Sequence, residues 1–179
     1  MWANAGAHGS DVKDVLTTAI VVDAEGEERE LGPDDLGMAY RETRLKHSHP
    51  GRPDVVLAAS FTLQPAEPDT IAERLASIRR WRQEHQPIGQ KSAGSVFRNP
   101  EGDSAGRIID ELGLKEHRVG GAQVSPKHAN FIVNTGDATA ADVRALGDLL
   151  REAVRRERGI DLAYEVEFVG DWPAAEEGT

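Results

Sequence analysis

Val15 to Val22 is a run of apolar and β-branched residues that stops where Ala24-Glu25-Gly26-Glu27 supplies turn chemistry. A polar, alternating stretch follows, so the pattern predicts a strand, a hairpin turn and a second strand. Leu36 to Lys46 carries neither a helical nor a strand period clearly. Val55 to Leu63, bounded by Pro53 and Pro65, is a mostly apolar run of strand length and predicts a buried strand closing a first unit. From Thr70 the period becomes helical: Ile71, Leu75, Ile78 and Trp81 share a face, and Thr70-Ile71-Ala72-Glu73 has the form of a capping box, with Pro87 marking the end. Ser104 is placed to cap a short helix carrying Ile108, Ile109 and Leu112. Asn130 to Asn134 reads as a strand. Thr139-Ala140-Ala141-Asp142 opens a longer helix through Leu146, Leu150 and Val154 to Gly159, and Tyr164 to Val169 reads as a last strand. The expected class is α+β, with helices on an antiparallel or mixed sheet and a boundary near residues 65–69.

Length and composition narrow the function more than the fold. A chain of 179 residues has room for one compact domain or two small ones, and 39% hydrophobic with 29% charged residues is a globular composition. The apolar runs fall far short of the roughly 20 residues that span a bilayer, so no membrane association is expected. Met1 to Gly6 has neither a basic stretch nor an apolar one, and the expected compartment is the cytoplasm. The absence of cysteine excludes disulfides, thiolate zinc sites, iron–sulfur clusters and cysteine nucleophiles. With 31 acidic against 21 basic residues the net charge is −10, which opposes a polyanionic partner at long range but permits a local basic pocket. Nucleic acid is not an expected partner.

Three segments combine glycine with polar groups in stretches too irregular for simple core: residues 4–9, 93–100 and 120–130. Glycine lets a backbone approach a flat or phosphate-bearing ligand, so each could line a pocket, although a plain turn has the same composition. Ser95 lacks the second glycine of a nucleophile elbow, which weakens a hydrolase reading. His47 and His49, joined by His8 or His128, lack the helix spacing and carboxylates of a metal site, and no metal is expected. Arg79, Arg80 and Arg82 read as a solvated helix face. Glu165, within an apolar alternation, is either solvent-facing or held in a site.

Five motifs occur in one order: Asn4-Ala5-Gly6-Ala7-His8-Gly9; Tyr40-Arg41-Glu42-Thr43; Ala93-Gly94-Ser95-Val96-Phe97-Arg98-Asn99-Pro100; Gly120-Gly121-Ala122 followed by Lys127-His128-Ala129-Asn130-Phe131; and Glu165-Val166. Together they resemble the UDP-N-acetylenolpyruvoylglucosamine reductase family, also called UDP-N-acetylmuramate dehydrogenases. The resemblance implies that the chain corresponds to the C-terminal portion of such a flavoenzyme, without the N-terminal region that holds the FAD pyrophosphate. Residues 1–68 would be the end of an FAD-binding α+β domain, and residues 69–179 a smaller α+β substrate-binding domain.

The implied reaction is reduction of UDP-N-acetylglucosamine enolpyruvate to UDP-N-acetylmuramate in peptidoglycan precursor synthesis, with FAD and NADPH as cofactors. Arg41 matches the family's catalytic arginine, Ser95 its proton donor and Glu165 its catalytic glutamate. Hydride delivery to the enolpyruvyl group leaves negative charge beside a carboxylate, which a guanidinium fork suits. Ionised Glu165 near that carboxylate must be protonated or bridged by Arg41. Asn4, Ala5, Gly6, Ala7 and Gly9 are expected to pass along the isoalloxazine. Tyr40 and Asn99 match substrate-binding positions, and Lys91 and Arg98 suit the substrate diphosphate. One departure stands out: Tyr164-Glu165-Val166-Glu167 replaces a common Pro-Glu-Val-Arg, exchanging a cation for an anion. A non-catalytic UDP-sugar-binding module, or one half of a split reductase whose FAD lobe is another chain, is the alternative expectation.

Overall fold

A computed structural model describes residues 1–48 and 51–172, so His49 lies outside the described residues. The chain divides into two compact units, Met1–Ile78 and Arg79–Thr179. The division falls within helix α1, Pro68–His85.

In the first unit a two-stranded ribbon, β1 (Gly6–Ala7) with β2 (Ser10–Asp11), precedes a three-stranded antiparallel sheet. Its strands are β3 (Leu16–Val22), β4 (Glu28–Leu31) and β5 (Val55–Phe61), in the order β4-β3-β5. The predicted hairpin forms because the Asp23 carboxylate accepts the backbone N–H groups of Glu25 and Glu27, fixing the turn between β3 and β4. Alternation on β3 buries Leu16, Ala19 and Val21 against Leu36, Met38 and Leu45, giving residues 36–46 an apolar role that their local pattern did not reveal. Strand β5 departs from expectation. It lies at a sheet edge with Val55, Leu57 and Phe61 about half exposed, so its continuous apolar run reflects two apolar faces of which this unit covers one. Helix α1 differs in the same way: it begins at Pro68, before the anticipated capping box, and buries none of its side chains.

The second unit is a four-stranded antiparallel sheet, order β6-β9-β8-β7, made of β6 (Lys91–Ser95), β7 (Arg118–Val119), β8 (Ala122–Val124) and β9 (Phe131–Asn134). Helices α2 (Ala105–Glu111) and α3 (Ala140–Arg158) supply the rest of its core. The predicted caps are present: the Ser104 hydroxyl accepts from Arg107 N–H, Thr139 and Asp142 form a reciprocal capping box, and Gly159 ends α3 with φ of 67°. Leu146, Leu150 and Val154 follow helical spacing into the core, and burying each contributes roughly 1.5–3 kcal/mol. The anticipated last strand is reduced to one bridge, Tyr164 with Phe97, after which the chain bends. No helix among the described residues is long and apolar enough to cross a membrane.

Candidate active site

In the first unit the ribbon and the turn carrying Arg41 are built around Asn4, which is completely buried. Its Nδ2 donates to Asp11 Oδ2 and to the Ala39 carbonyl, both at 3.0 Å, and its Oδ1 accepts from Lys13 N–H at 2.9 Å. An amide with both donors and its acceptor engaged inside the unit is a strut, which satisfies buried groups that would otherwise be costly. Ala39 and Glu42 exchange two backbone hydrogen bonds across a tight turn, with Arg41 in the left-handed region at φ of 53°. From there Arg41 Nη2 donates to the Gly6 carbonyl at 3.1 Å, and the guanidinium lies 5.0 Å from the Tyr40 ring centre. A Cβ at Gly6 would sit 2.8 Å from Asp11 Cβ, so that glycine is required by the ribbon's own packing. Ala5, Ala7, His8 and Gly9 are exposed, and Ala7 and His8 edge a groove of about 410 Å³ shared with Thr70, Ile71 and Leu75.

In the second unit Ser95 closes β6 immediately after a break in the ladder: Ser92 pairs with Val133 and Ser95 with Phe131, with Ala93 and Gly94 bulged between them. Gly94 has φ of +89°, a conformation other residues adopt only under strain, and a bulge of this kind re-aims the side chain that follows. The next residues are gripped by Asn130, which exchanges two hydrogen bonds with the main chain of Phe97. Arg98 N–H donates to the Ala163 carbonyl and Glu165 N–H to the Val96 carbonyl, at 2.9 and 2.8 Å. The segment carrying Glu165 thus runs beside the segment carrying Ser95, in a register set by four main-chain groups. Ser95 and Glu165 are both half-buried.

The remaining expected positions fall as follows. Lys91 is exposed at the start of β6 and pairs with Asn134. Arg98 is half-buried in the segment held by Asn130. Asn99 Oδ1 accepts from Ala105 N–H at 3.1 Å, so its side chain also steadies the start of α2. Tyr40 is half exposed beside Arg41. Gly120 and Gly121 are not pocket-lining: a Cβ on either would come within 2.5 Å of Asp142 or Ala138, because the β7–β8 turn presses on the start of α3. His47 bonds Glu42, His128 packs on Phe131, and among the described residues no three His, Asp or Glu side chains gather as metal ligands.

Two structural residues escape motif reading. Asn130 belongs to a quoted motif, but its pairing with Phe97 joins positions 33 apart. Gly147, in the middle of α3, is signalled only by the cost of glycine in a helix, about 1 kcal/mol relative to alanine.

Comparison with known proteins gives one consistent result. Residues 86–169 match the family model described as UDP-N-acetylenolpyruvoylglucosamine reductase, C-terminal domain. The reductase of Geobacter metallireducens is 46% identical over 168 residues, 94% of this chain and 54% of that protein. That of Paramagnetospirillum magneticum is 44% identical over 167 residues, 93% of this chain and 53% of that protein. A reductase sequence of Bacillus licheniformis is 40% identical over 171 residues, 96% of this chain and 91% of that sequence. The crystal structure of the reductase from Thermus caldophilus superposes with a TM-score of 0.78 at 38% identity, covering 93% of this chain and 57% of that one. The chain therefore spans about half the length of most curated relatives it matches.

Proposed function

The chain belongs to the UDP-N-acetylenolpyruvoylglucosamine reductase family, and from that premise we propose that it carries the substrate half of a flavin-dependent reduction. The reaction is conversion of UDP-N-acetylglucosamine enolpyruvate to UDP-N-acetylmuramate with NADPH, in the cytoplasmic phase of peptidoglycan precursor synthesis. The observation that carries this reading is the pairing of the Ser95 and Glu165 segments through Val96, Phe97 and Arg98. It gives two groups suited to proton handling a common, rigid frame.

Arg41 binds the enolpyruvyl carboxylate and stabilises the charge that develops next to it. Its left-handed turn and its bond to the Gly6 carbonyl hold the guanidinium fork without a flexible reach. Ser95 donates a proton to the carbon left electron-rich after reduction. A serine hydroxyl is a weak acid, so its contribution rests on position, which the Gly94 bulge and Asn130 provide. Glu165 completes the polar lining. Lys91 and Arg98 neutralise the diphosphate, and Tyr40 and Asn99 contact the remainder of the substrate.

The first unit fits an isoalloxazine in one respect. Ala5, Ala7 and Gly9 present an exposed ribbon of small residues that a planar ring can approach, while Asn4 and Gly6 shape that ribbon from inside. When bound, FAD supplies hydride transfer from NADPH to the substrate. We assign residues 1–68 to the FAD-binding domain and 69–179 to the substrate-binding domain. The exposed apolar residues of β5 and the adjoining Leu63, which is 73% exposed, support a complementary FAD lobe that covers them, as in one half of a split reductase. The self-contained core of the second unit supports the other reading, a UDP-sugar-binding module without catalysis.

Titrating the chain with FAD while following the visible spectrum tests the proposal. Saturable binding with a perturbed spectrum, followed by NADPH oxidation that depends on the enolpyruvyl substrate, is the result expected of a sufficient flavin site. Binding of a UDP-sugar with no flavin uptake would favour the module.

A further inference from the structure

The Tyr164 side chain is held on four sides. Its ring lies 5.0 Å from Phe97 at 31° and 5.0 Å from Phe168 edge-on, and the Arg151 guanidinium sits 5.1 Å from its centre. The fourth side is helix α3 at Gly147. A Cβ there would stand 2.6 Å from the Tyr164 hydroxyl oxygen and 3.0 Å from Cε1, so the ring occupies a notch that exists only because residue 147 has no side chain. At the end of the notch the phenol donates to Asp148 Oδ1 at 2.8 Å. Burial, and then this hydrogen bond, push the phenol well above its ordinary pKa, so it remains a neutral donor.

Beside the core contacts that Tyr164 makes, the arrangement carries two costs. Glycine in a helix interior weakens α3, and a tyrosine hydroxyl needs a partner once its ring is buried. What the notch secures is the residue next to it. Tyr164 forms the bridge to Phe97, Glu165 N–H donates to the Val96 carbonyl, and the chain bends immediately afterwards. Val166 N–H reaches the same Val96 carbonyl at 3.4 Å, so Glu165 lies between this bond and the Tyr164 bridge, which is its anchor on the N-terminal side.

We propose that Tyr164, seated in the Gly147 notch and tied to Asp148, is the positioning residue that sets Glu165 against the Ser95 segment. This rests on the reading of Glu165 as a reaction-site group. The site then owes part of its geometry to helix α3, through Gly147 and Asp148.

The test is hydrogen exchange and NMR on the full 179-residue chain, with the Glu165 carboxyl carbon assigned from Glu165→Gln. Gly147→Ala and Tyr164→Ala are expected to speed exchange of the Glu165 amide about tenfold and to move its carboxyl resonance, leaving the Val124 and Ile132 amides unchanged. Tyr164→Phe keeps the ring in the notch but removes the bond to Asp148, and should give a smaller acceleration confined to Glu165. Combined with Gly147→Ala it should lessen the effect of Gly147→Ala alone, because the closest contact, at the oxygen, is gone while the ring carbon at 3.0 Å remains. Asp148→Ala, at an exposed position that leaves the core untouched, should give a smaller acceleration confined to Glu165. Unchanged Glu165 signals in Gly147→Ala and Tyr164→Ala, or equal acceleration at Val124 and Ile132, would overturn the proposal. A chain that never takes up flavin would instead count against the reading of the reaction, since the exchange signals report position without turnover.

Discussion

The side-chain amide of Asn130 grips the main chain of Phe97 from both ends, accepting from its N–H at 2.9 Å and donating to its carbonyl at 2.8 Å. Both residues are buried, so neither Phe97 group has water to fall back on. Ser95 lies two residues before Phe97, and Glu165 bonds Val96, the residue between them.

Asn130→Ala leaves two buried backbone groups unpaired. At about 1–3 kcal/mol for each, stability should fall by ~2–6 kcal/mol, read as a lower denaturation midpoint in urea. A loss under ~0.5 kcal/mol would mean that water or a local shift replaces the amide.

Ser95→Ala should leave flavin reduction by NADPH near its wild-type rate in a flavin-loaded enzyme. Proton delivery to the substrate carbon should slow by roughly 10²–10⁴-fold. Stopped-flow measurement of the two half-reactions separates them, and equal slowing of both would contradict the assigned role.

Asn4→Ala removes three hydrogen bonds from inside the first unit, one of them to the carbonyl that begins the Arg41 turn. Amide exchange at Leu16 and Val21 should accelerate, while Leu150 in the second unit keeps its protection. Flavin affinity falling with no change in first-unit protection would make Asn4 a direct ligand instead.

His128 provides a pH signature. Burial, reinforced by Lys115, lowers its pKa, and its Nδ1 accepts the Asn130 N–H, so the folded form favours a neutral ring. The unfolded chain takes up this proton first as pH falls below about 6.5. The neutral ring's contribution to stability is therefore complete above that value and declines between it and the lower folded pKa. Thermal melts from pH 7.5 to 5 should fall more steeply for the wild type than for His128→Gln. Parallel curves would show that the ring protonates in place.

Legibility followed distance along the chain. The caps at Ser104, Thr139 and Gly159 and the hairpin after Val22 were readable because their partners lie within four residues. The apolar run at 55–61 predicts a buried strand, and the shared face of Ile71, Leu75, Ile78 and Trp81 a helix; both elements form, with those apolar residues largely exposed. Periodicity records which face is apolar and carries no information about what covers it. The tail from Tyr164 alternates as a strand does, yet it forms a single bridge.

By itself the sequence determined the α+β class, the positions of most helices and strands, and through five ordered motifs the family to which the chain belongs. Tertiary structure alone decided what individual residues do within those motifs. Asn4 is a strut because Ala39 comes to it from 35 positions away, and Gly147 is a notch because the Tyr164 ring, from beyond the end of α3, lies against it. Helix caps and turns are set by hydrogen bonds between near neighbours, which the local order of residues specifies. A buried amide or a missing side chain acquires its purpose only from groups that folding brings alongside.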